Sequence, residues 1–293
     1  MIGDIRRVTA GDGGESALIM GSEKAAVYDT GMAYCGEGLV ENIKRELDGR
    51  TLDYVLLSHT HYDHIGGLPY LRKEWPNLIV YGSAYGKTIL EKPKVLALIH
   101  RLSQNAAETY LKEDAKPLDY NDEHMRIDIA VGDGDIISLG NRYFRVYETK
   151  GHTNCSLTYF MEQESILFAS ESTGVMADGK TMGSSILSSY KDAIASIEKC
   201  RALGAKYIFS PHSLQVDDDI AANYWDMALE TAEELKEFVL KCMDEKLSEE
   251  EILQRSIERF WKGAAKEQYP QEAFLTNIKA KINVIRREFG GMK

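Results

Sequence analysis

The sequence lacks any apolar segment long enough to span a lipid bilayer, and its first seven residues lack the basic-then-apolar pattern of a secretory signal. Paired cysteines are also missing, since the four cysteines are scattered along the chain at Cys35, Cys155, Cys200 and Cys242. Scattered cysteines favour reduced thiols over a disulfide framework. We therefore expect a soluble cytoplasmic protein with no membrane partner.

Positive charge is scarce as well. Lysine and arginine number 35 against 46 aspartates and glutamates, which makes the formal net charge −11, and no dense basic block occurs. Because an acidic chain repels phosphate backbones at long range, we expect a small-molecule substrate and no nucleic-acid partner. The length of 293 residues and the hydrophobic fraction of 44% are those of an ordinary globular protein.

Short apolar strands, turns and helices alternate over the first two thirds of the chain. Residues 16–20 and 25–29 predict a hairpin, residues 52–57 predict a buried strand, and residues 65–75 predict a helix. Further strands are predicted at residues 78–81, 125–131, 135–139, 142–149, 165–169 and 207–209. Because strands interleaved with helices form layered sheets, this order predicts an α/β domain.

Two segments depart from this alternation. A helical stretch interrupts the strands at about residues 84–116, and the pattern is helical from residue 217 onward. Ser248 with Glu251 three residues later is a capping-box signature at the start of one of these helices. We therefore predict a core of residues 1–216 and a C-terminal helical extension of residues 217–293 packed on it. The apolar faces of this extension would also suit a homodimer interface.

Three histidines and an aspartate follow the predicted buried strand 52–57 within a run of six residues. His59 and His61 alternate, so both rings can point the same way in an extended loop. Asp63 and His64 fall where the next helix begins and could face a second, adjacent metal. Imidazole nitrogen and carboxylate oxygen suit zinc, iron or manganese. The run therefore predicts a metal site, and the strand before it argues against a surface histidine tract.

The run His59-Thr60-His61-Tyr62-Asp63-His64 resembles the His-x-His-x-Asp-His signature of the metallo-β-lactamase superfamily. Four further segments resemble that family in the same order, namely Asp29-Thr30-Gly31, Gly151-His152-Thr153, Phe168-Ala169-Ser170-Glu171 and Ser210-Pro211-His212. The ordered set, from about residue 16 to residue 212, is far more specific than any one segment. The resemblance implies an α/β fold, the four-layer αββα metallo-β-lactamase sandwich, here with a helical insertion and an all-helical C-terminal extension.

The resemblance also implies two divalent metal ions, with zinc favoured and with iron or manganese as alternatives. The implied ligands of the first metal are His59, His61 and His152, and those of the second are Asp63, His64 and His212. Glu171 stands where the family normally has a bridging aspartate. Glutamate is longer by one methylene, so it could bridge both metals, bind one of them, or bind neither.

Two adjacent metals lower the pKa of a bridging water, and the resulting hydroxide can attack an electrophile near neutral pH. Asp63 would orient this nucleophile. The resemblance is to the glyoxalase II and lactonase branches, which implies a hydrolase of a small ester, lactone or thioester. A phosphodiesterase of the same fold is the first alternative. A regulatory or binding protein with little turnover is the second, and the departure at Glu171 keeps it open.

Overall fold

A computed structural model of the chain describes residues 5–176, 178–263, 266 and 270–291. The chain forms two compact units. The first comprises Met1–Glu148 and Leu157–Phe168, and the second comprises Thr149–Ser156 and Ala169–Lys293. The division at residue 216 that the sequence suggests stays a prediction.

A mixed sheet occupies the first part of the first unit. Its strands are β1 (Ile5–Arg7), β2 (Ala17–Met20), β3 (Ala25–Tyr28), β4 (Tyr54–Leu56), β5 (Ile79–Ser83) and β6 (Ile129–Val131), adjacent in chain order. The first three strands are antiparallel, and β3 to β6 are parallel. Val27, Val55 and Val80 are register partners on successive parallel strands and are fully buried. Apolar residues on both faces are expected of a covered parallel sheet, and the predicted hairpin and buried strand are confirmed.

The same unit contains four antiparallel strands. They are β7 (Ile136–Ser138), β8 (Tyr143–Glu148), β9 (Leu157–Met161) and β10 (Ile166–Phe168). Tyr28 of β3 contacts this second set of strands through aromatic rings, with centroids 6.0 Å from Tyr159 and 5.1 Å from Phe168. The Tyr159 hydroxyl donates to the Leu57 carbonyl at 2.8 Å. An aromatic core therefore joins the two sets of strands within this unit.

Helices pack against the strands of the first unit. They are α1 (Gly36–Leu47), α2 (Tyr62–Ile65), α3 (Leu68–Glu74), α4 (Ala84–Leu90) and α5 (Pro93–Leu111). Leu39 and Ile43 of α1 are buried together with Leu71 of α3 in the main apolar core. The helices α4 and α5 occupy the segment where the sequence predicts a helical insertion.

The helix predicted at residues 65–75 is interrupted by Gly66 and Gly67, which separate α2 from α3. The loop after β3 lies against these glycines, and the amide of Gly66 donates to the Gly31 carbonyl at 2.9 Å. A Cβ at Gly66 would lie 2.2 Å from the backbone nitrogen of Ala33, and one at Gly67 would lie 2.6 Å from the Thr30 carbonyl. The two glycines therefore permit a close backbone approach that any side chain would block.

Gly66→Ala is expected to lower the free energy of unfolding by about 1–3 kcal/mol, because the added methyl overpacks this contact. Urea denaturation followed by circular dichroism measures the loss. Gly132→Ala is the matched control in the same unit, since its Cβ would lie at an ordinary 3.6 Å from the Glu148 carboxylate. Equal losses in the two variants would contradict the packing explanation.

The second unit is built mostly of helices. They are α6 (Tyr190–Ala202), α7 (Asp218–Ala221), α8 (Tyr224–Asp244), α9 (Glu249–Phe260) and α10 (Gln271–Phe289). Short antiparallel pairs join β11 (Val175–Met176) to β12 (Met182–Gly183), and β13 (Tyr207–Ser210) to β14 (Leu214–Gln215). The predicted helical C-terminal region is confirmed, as is the capping box of Ser248 and Glu251. Among the residues that the structure describes, no helix combines the length and apolar character that crossing a membrane requires.

Candidate metal centre

The histidine run of the first unit lies at the carboxyl ends of two parallel strands. The amide of Asp29, which follows β3, donates to the carbonyl of Leu56 at the end of β4 at 3.0 Å. Because β3 and β4 are parallel, the residues that follow them emerge at the same edge of the sheet. This topology places Asp29 beside Ser58 and His59.

The rings of His59, His61 and His64 lie together in this loop. His61 has extended backbone angles, φ −71° and ψ 150°, immediately before α2. The ring centroid of His59 is 4.6 Å from that of His61 and 4.1 Å from that of His64. His59 and His64 are only 1% and 2% exposed, which rules out a surface histidine tract.

A buried polar network orients two of these imidazoles. The Ser58 amide and hydroxyl both donate to the Asp29 carboxylate at 2.7 Å, and His64 Nδ1 contacts Asp29 Oδ2 at 2.8 Å. Since the Ser58 hydroxyl gives its proton to Asp29, it accepts from His59 Nδ1 at 2.9 Å. Both imidazoles therefore carry the proton on Nδ1, which leaves Nε2 as the coordinating nitrogen. The sequence identified Asp29 only as part of a turn, and no motif in the sequence identified Ser58 as part of the site.

The surroundings of His64 favour positive charge. Burial alone would lower the pKa of His64, but the carboxylates of Asp63 and Asp29 outweigh burial and raise the pKa well above its ordinary value. Asp63 Oδ2 lies 3.5 Å from His64 Nε2. The two carboxylates would stabilise the positive charge of a metal ion bound at Nε2 in place of that proton.

His152 of the second unit is oriented in the same manner. Its Nδ1 donates to the Ser185 carbonyl at 2.7 Å, and its amide donates to the Ser172 hydroxyl at 2.9 Å. Gly151 adopts a φ of +135°, and a Cβ there would lie 2.5 Å from Ala193 of α6. The glycine before His152 is therefore needed for the loop to lie against the helix.

Glu171 and His212 meet because the segments that carry them are paired. The Ala169 amide donates to the carbonyl of Phe209 in β13 at 2.9 Å, and Glu171 and His212 follow a few residues later on each side. Glu171 Oε1 lies 3.1 Å from His212 Nε2. His212 has a φ of 64°, a left-handed conformation that is uncommon for residues other than glycine and often marks functional sites.

The Glu171 carboxylate also reaches His152. Its Oε2 accepts from the Ser185 hydroxyl at 2.9 Å and lies 3.5 Å from His152 Nε2. Glu171 is 7% exposed, so it is not an exposed carboxylate at the end of a strand. One side chain thus contacts two histidines that the resemblance assigns to different metals.

Lys281 of α10 is a residue that the sequence gave no reason to select. Its ammonium group donates to the Ser184 carbonyl. Burial lowers the pKa of Lys281 to about 8, although the carboxylate of Glu171 acts in the opposite direction. Periodicity alone places this lysine on an amphipathic helix, and only the packing of α10 brings it near Glu171.

The residues of each unit fit divalent metal ions. His59, His64 and His152 each engage Nδ1 with a neighbouring oxygen, as metal-ligating histidines do, and Glu171 and Asp63 supply oxygen ligands. In the first unit, His59 and His61 offer ring nitrogens within 4.8 Å of each other, and in the second unit Glu171 and His212 offer ligand atoms within the same distance. Such nitrogen and oxygen donors suit zinc, iron or manganese.

Solved structures share the fold over nearly the whole chain. A metallo-beta-lactamase superfamily protein from the archaeon Sulfolobus tokodaii aligns with a TM-score of 0.64 and 19% identity, covering 97% of this chain and 98% of that one. A metallo-beta-lactamase family protein from Thermus thermophilus aligns with a TM-score of 0.64 and 17% identity, covering 97% of this chain and 94% of that one. The predicted α/β fold, the αββα metallo-β-lactamase sandwich with a helical C-terminal region, is therefore confirmed.

Curated relatives share a shorter part of the sequence. A hydroxyacylglutathione hydrolase from Nitrobacter hamburgensis is 28% identical over 165 residues, which is 56% of this chain and 49% of the relative. One from Aliivibrio salmonicida is 28% identical over 116 residues, which is 40% of this chain and 32% of the relative. The chain thus spans half or less of the length of these relatives.

A family model decides the classification. The model of the metallo-beta-lactamase superfamily matches residues 10–212, which is more than half of the chain and contains every proposed ligand. The chain therefore belongs to the metallo-beta-lactamase superfamily.

Proposed function

We propose that this protein is a metal-dependent hydrolase with a dinuclear site. The proposed ligands of one metal are His59, His61 and His152. The proposed ligands of the other are Asp63, His64 and His212, with Glu171 shared between the two metals. Zinc is the favoured ion, and iron and manganese use the same donors.

The position of Glu171 carries this proposal. Its two carboxylate oxygens contact His152 Nε2 at 3.5 Å and His212 Nε2 at 3.1 Å, so a single side chain faces one proposed ligand of each metal. These two contacts support Glu171 as a shared ligand, because each carboxylate oxygen lies beside a proposed ligand of a different metal. These contacts also weigh against the alternative of a regulatory protein, because the departure from aspartate at Glu171 was the feature that kept that alternative open.

Divalent metals, when bound, lower the pKa of water and polarise the oxygen of an electrophile. The protein's own side chains then set the geometry. Asp29 and Ser58 hold His64 and His59 with Nε2 as the coordinating nitrogen, and Ser185 does the same for His152. An Asp63 carboxylate oxygen would accept a hydrogen bond from the attacking water and so orient it, which makes Asp63 the proposed catalytic residue.

A small acyl compound is the proposed substrate, namely an ester, a lactone or a thioester. The names of the hydroxyacylglutathione hydrolases specify hydrolysis of an acylated glutathione, and these relatives match a part of this chain. The net charge of −11 disfavours the phosphodiesterase alternative, because a polyanionic substrate would be repelled at long range. Cytoplasmic location and a homodimer through the C-terminal helices stay predictions.

Metal content and metal dependence test this function directly. Protein purified without added metal or chelator is expected to contain two equivalents of divalent metal by elemental analysis. Chelation should remove activity toward a panel of thioesters, lactones and esters, and added zinc, iron or manganese should restore it. Chelation should also lower the melting temperature, because bound metal stabilises only the folded state.

The panel should include a chromogenic phosphodiester. Faster hydrolysis of this compound than of any acyl compound would favour the phosphodiesterase. One metal equivalent or fewer would overturn the dinuclear site and favour the regulatory alternative, and an activity that survives chelation would overturn the metal-dependent hydrolase.

A further inference from the structure

The last helix holds the segment between β12 and α6 at both ends. Lys281 Nζ donates to the Ser184 carbonyl, and an Arg287 guanidinium nitrogen donates to the Ser188 carbonyl. Glu288 caps the start of α6, since its carboxylate accepts from the amides of Tyr190 and Lys191 at 3.0 and 3.1 Å. Three side chains of α10 therefore contact the backbone of residues 184–191.

This same segment holds two of the proposed metal ligands. The Ser185 carbonyl accepts from His152 Nδ1 at 2.7 Å, and the Ser185 hydroxyl donates to Glu171 Oε2 at 2.9 Å. Ser188 supports the loop of His152 from the other side, because its amide and hydroxyl donate to the Gly151 carbonyl at 2.9 and 3.0 Å. The orientation of His152 and Glu171 thus depends on where residues 184–188 lie.

We propose that Lys281 is a positioning residue for the metal ligands His152 and Glu171, acting through Ser184 and Ser185. The Ser184 carbonyl and the Ser185 amide belong to the same planar peptide group. A hydrogen bond to that carbonyl therefore fixes the orientation of the peptide plane that precedes Ser185. This inference rests on the proposed metal function. It assigns to the C-terminal helix a role in metal affinity, beyond its part in helix packing.

Lys281→Met is the principal test, because methionine keeps the apolar stem and removes the donor and the charge. Lys279→Met is the matched control, since Lys279 is exposed on the same helix two residues away. Competition with a chromophoric chelator measures zinc affinity, and the visible absorption of the cobalt(II)-substituted protein reports ligand geometry. We expect Lys281→Met to bind zinc about 10-fold more weakly, the lower end of the effect of outer-shell partners.

The cobalt(II) bands should also shift in Lys281→Met, remain as in the wild type in Lys279→Met, and recover in part in Lys281→Arg. Wild-type affinity and spectrum in Lys281→Met would overturn the inference. If that variant does not fold, Lys281→Gln decides by the same two measurements. A wild-type protein that binds no metal would instead overturn the proposed function, so the two failures are distinguishable.

Discussion

His61→Ala is expected to abolish hydrolysis and to release metal from the proposed first site. His61 lies beside His59 with ring centroids 4.6 Å apart, and together with His152 they are the three proposed ligands of that metal. Loss of a direct ligand should cost more than the roughly 10- to 100-fold in affinity or activity seen for outer-shell partners. Elemental analysis and hydrolysis of the best acyl substrate measure both losses on the same preparation.

The fold should survive this change. The His61 carbonyl accepts from the amides of His64 and Ile65, and alanine retains that carbonyl. Circular dichroism of the metal-free protein should therefore match the wild type. His124→Ala is the control histidine, because its carbonyl accepts from Arg72 and it lies outside the signature. A His61→Ala protein with full metal content and activity would remove His61 from the site.

Glu171→Asp is expected to lose one of two metal equivalents, even though it restores the residue usual in the family. The Glu171 oxygens contact His212 at 3.1 Å and Ser185 at 2.9 Å, and a shorter side chain withdraws the carboxylate by about 1.5 Å, the length of one C–C bond. With the carboxylate withdrawn by that length, its hydrogen bonds to His212 and Ser185 are lost. Hydrolysis should fall by at least roughly 100-fold, the upper end of outer-shell effects.

Glu198→Asp is the matched control, since Glu198 is exposed on α6 and the same substitution there removes no contact in the site. Glu171→Gln separates the effect of charge from that of side-chain length, because glutamine keeps the length of the side chain and loses its negative charge. This variant should also lose metal. Two metal equivalents and wild-type or higher activity in Glu171→Asp would show that the site does not depend on the longer side chain.

Local patterns in the sequence were sufficient to predict most elements of the fold. The apolar run of residues 52–57, the hairpin of residues 16–29 and the capping box at Ser248 each depend on contacts between near neighbours, and each is confirmed. The helix at residues 65–75 was predicted without its interruption. The periodicity of apolar residues along a helix contains no information about contacts with distant backbone. Here the backbone of residues 30–33 packs against Gly66 and Gly67, which lie between α2 and α3.

The same distinction between local patterns and distant contacts applies to the candidate site. The histidine run is local, so its residue types and their order indicate metal chemistry without a structure. The partners that orient these histidines are distant in sequence: Asp29 lies 35 residues from His64, and Ser185 lies 33 residues from His152. Serines and aspartates are common at turns, so nothing in their own neighbourhood marks them as parts of a metal site.

By itself the sequence determined the family, the α/β class, the helical C-terminal region and the proposed ligands, because these follow from motifs and periodicities of neighbouring residues. Only the tertiary structure decided which nitrogen each oriented histidine presents, that Glu171 reaches both His152 and His212, and that Lys281 holds the segment of Ser185. Those features depend on chain segments that meet through strand pairing and helix packing. A side chain's distance to a residue far along the chain is a property of the packed core, and no local pattern encodes it.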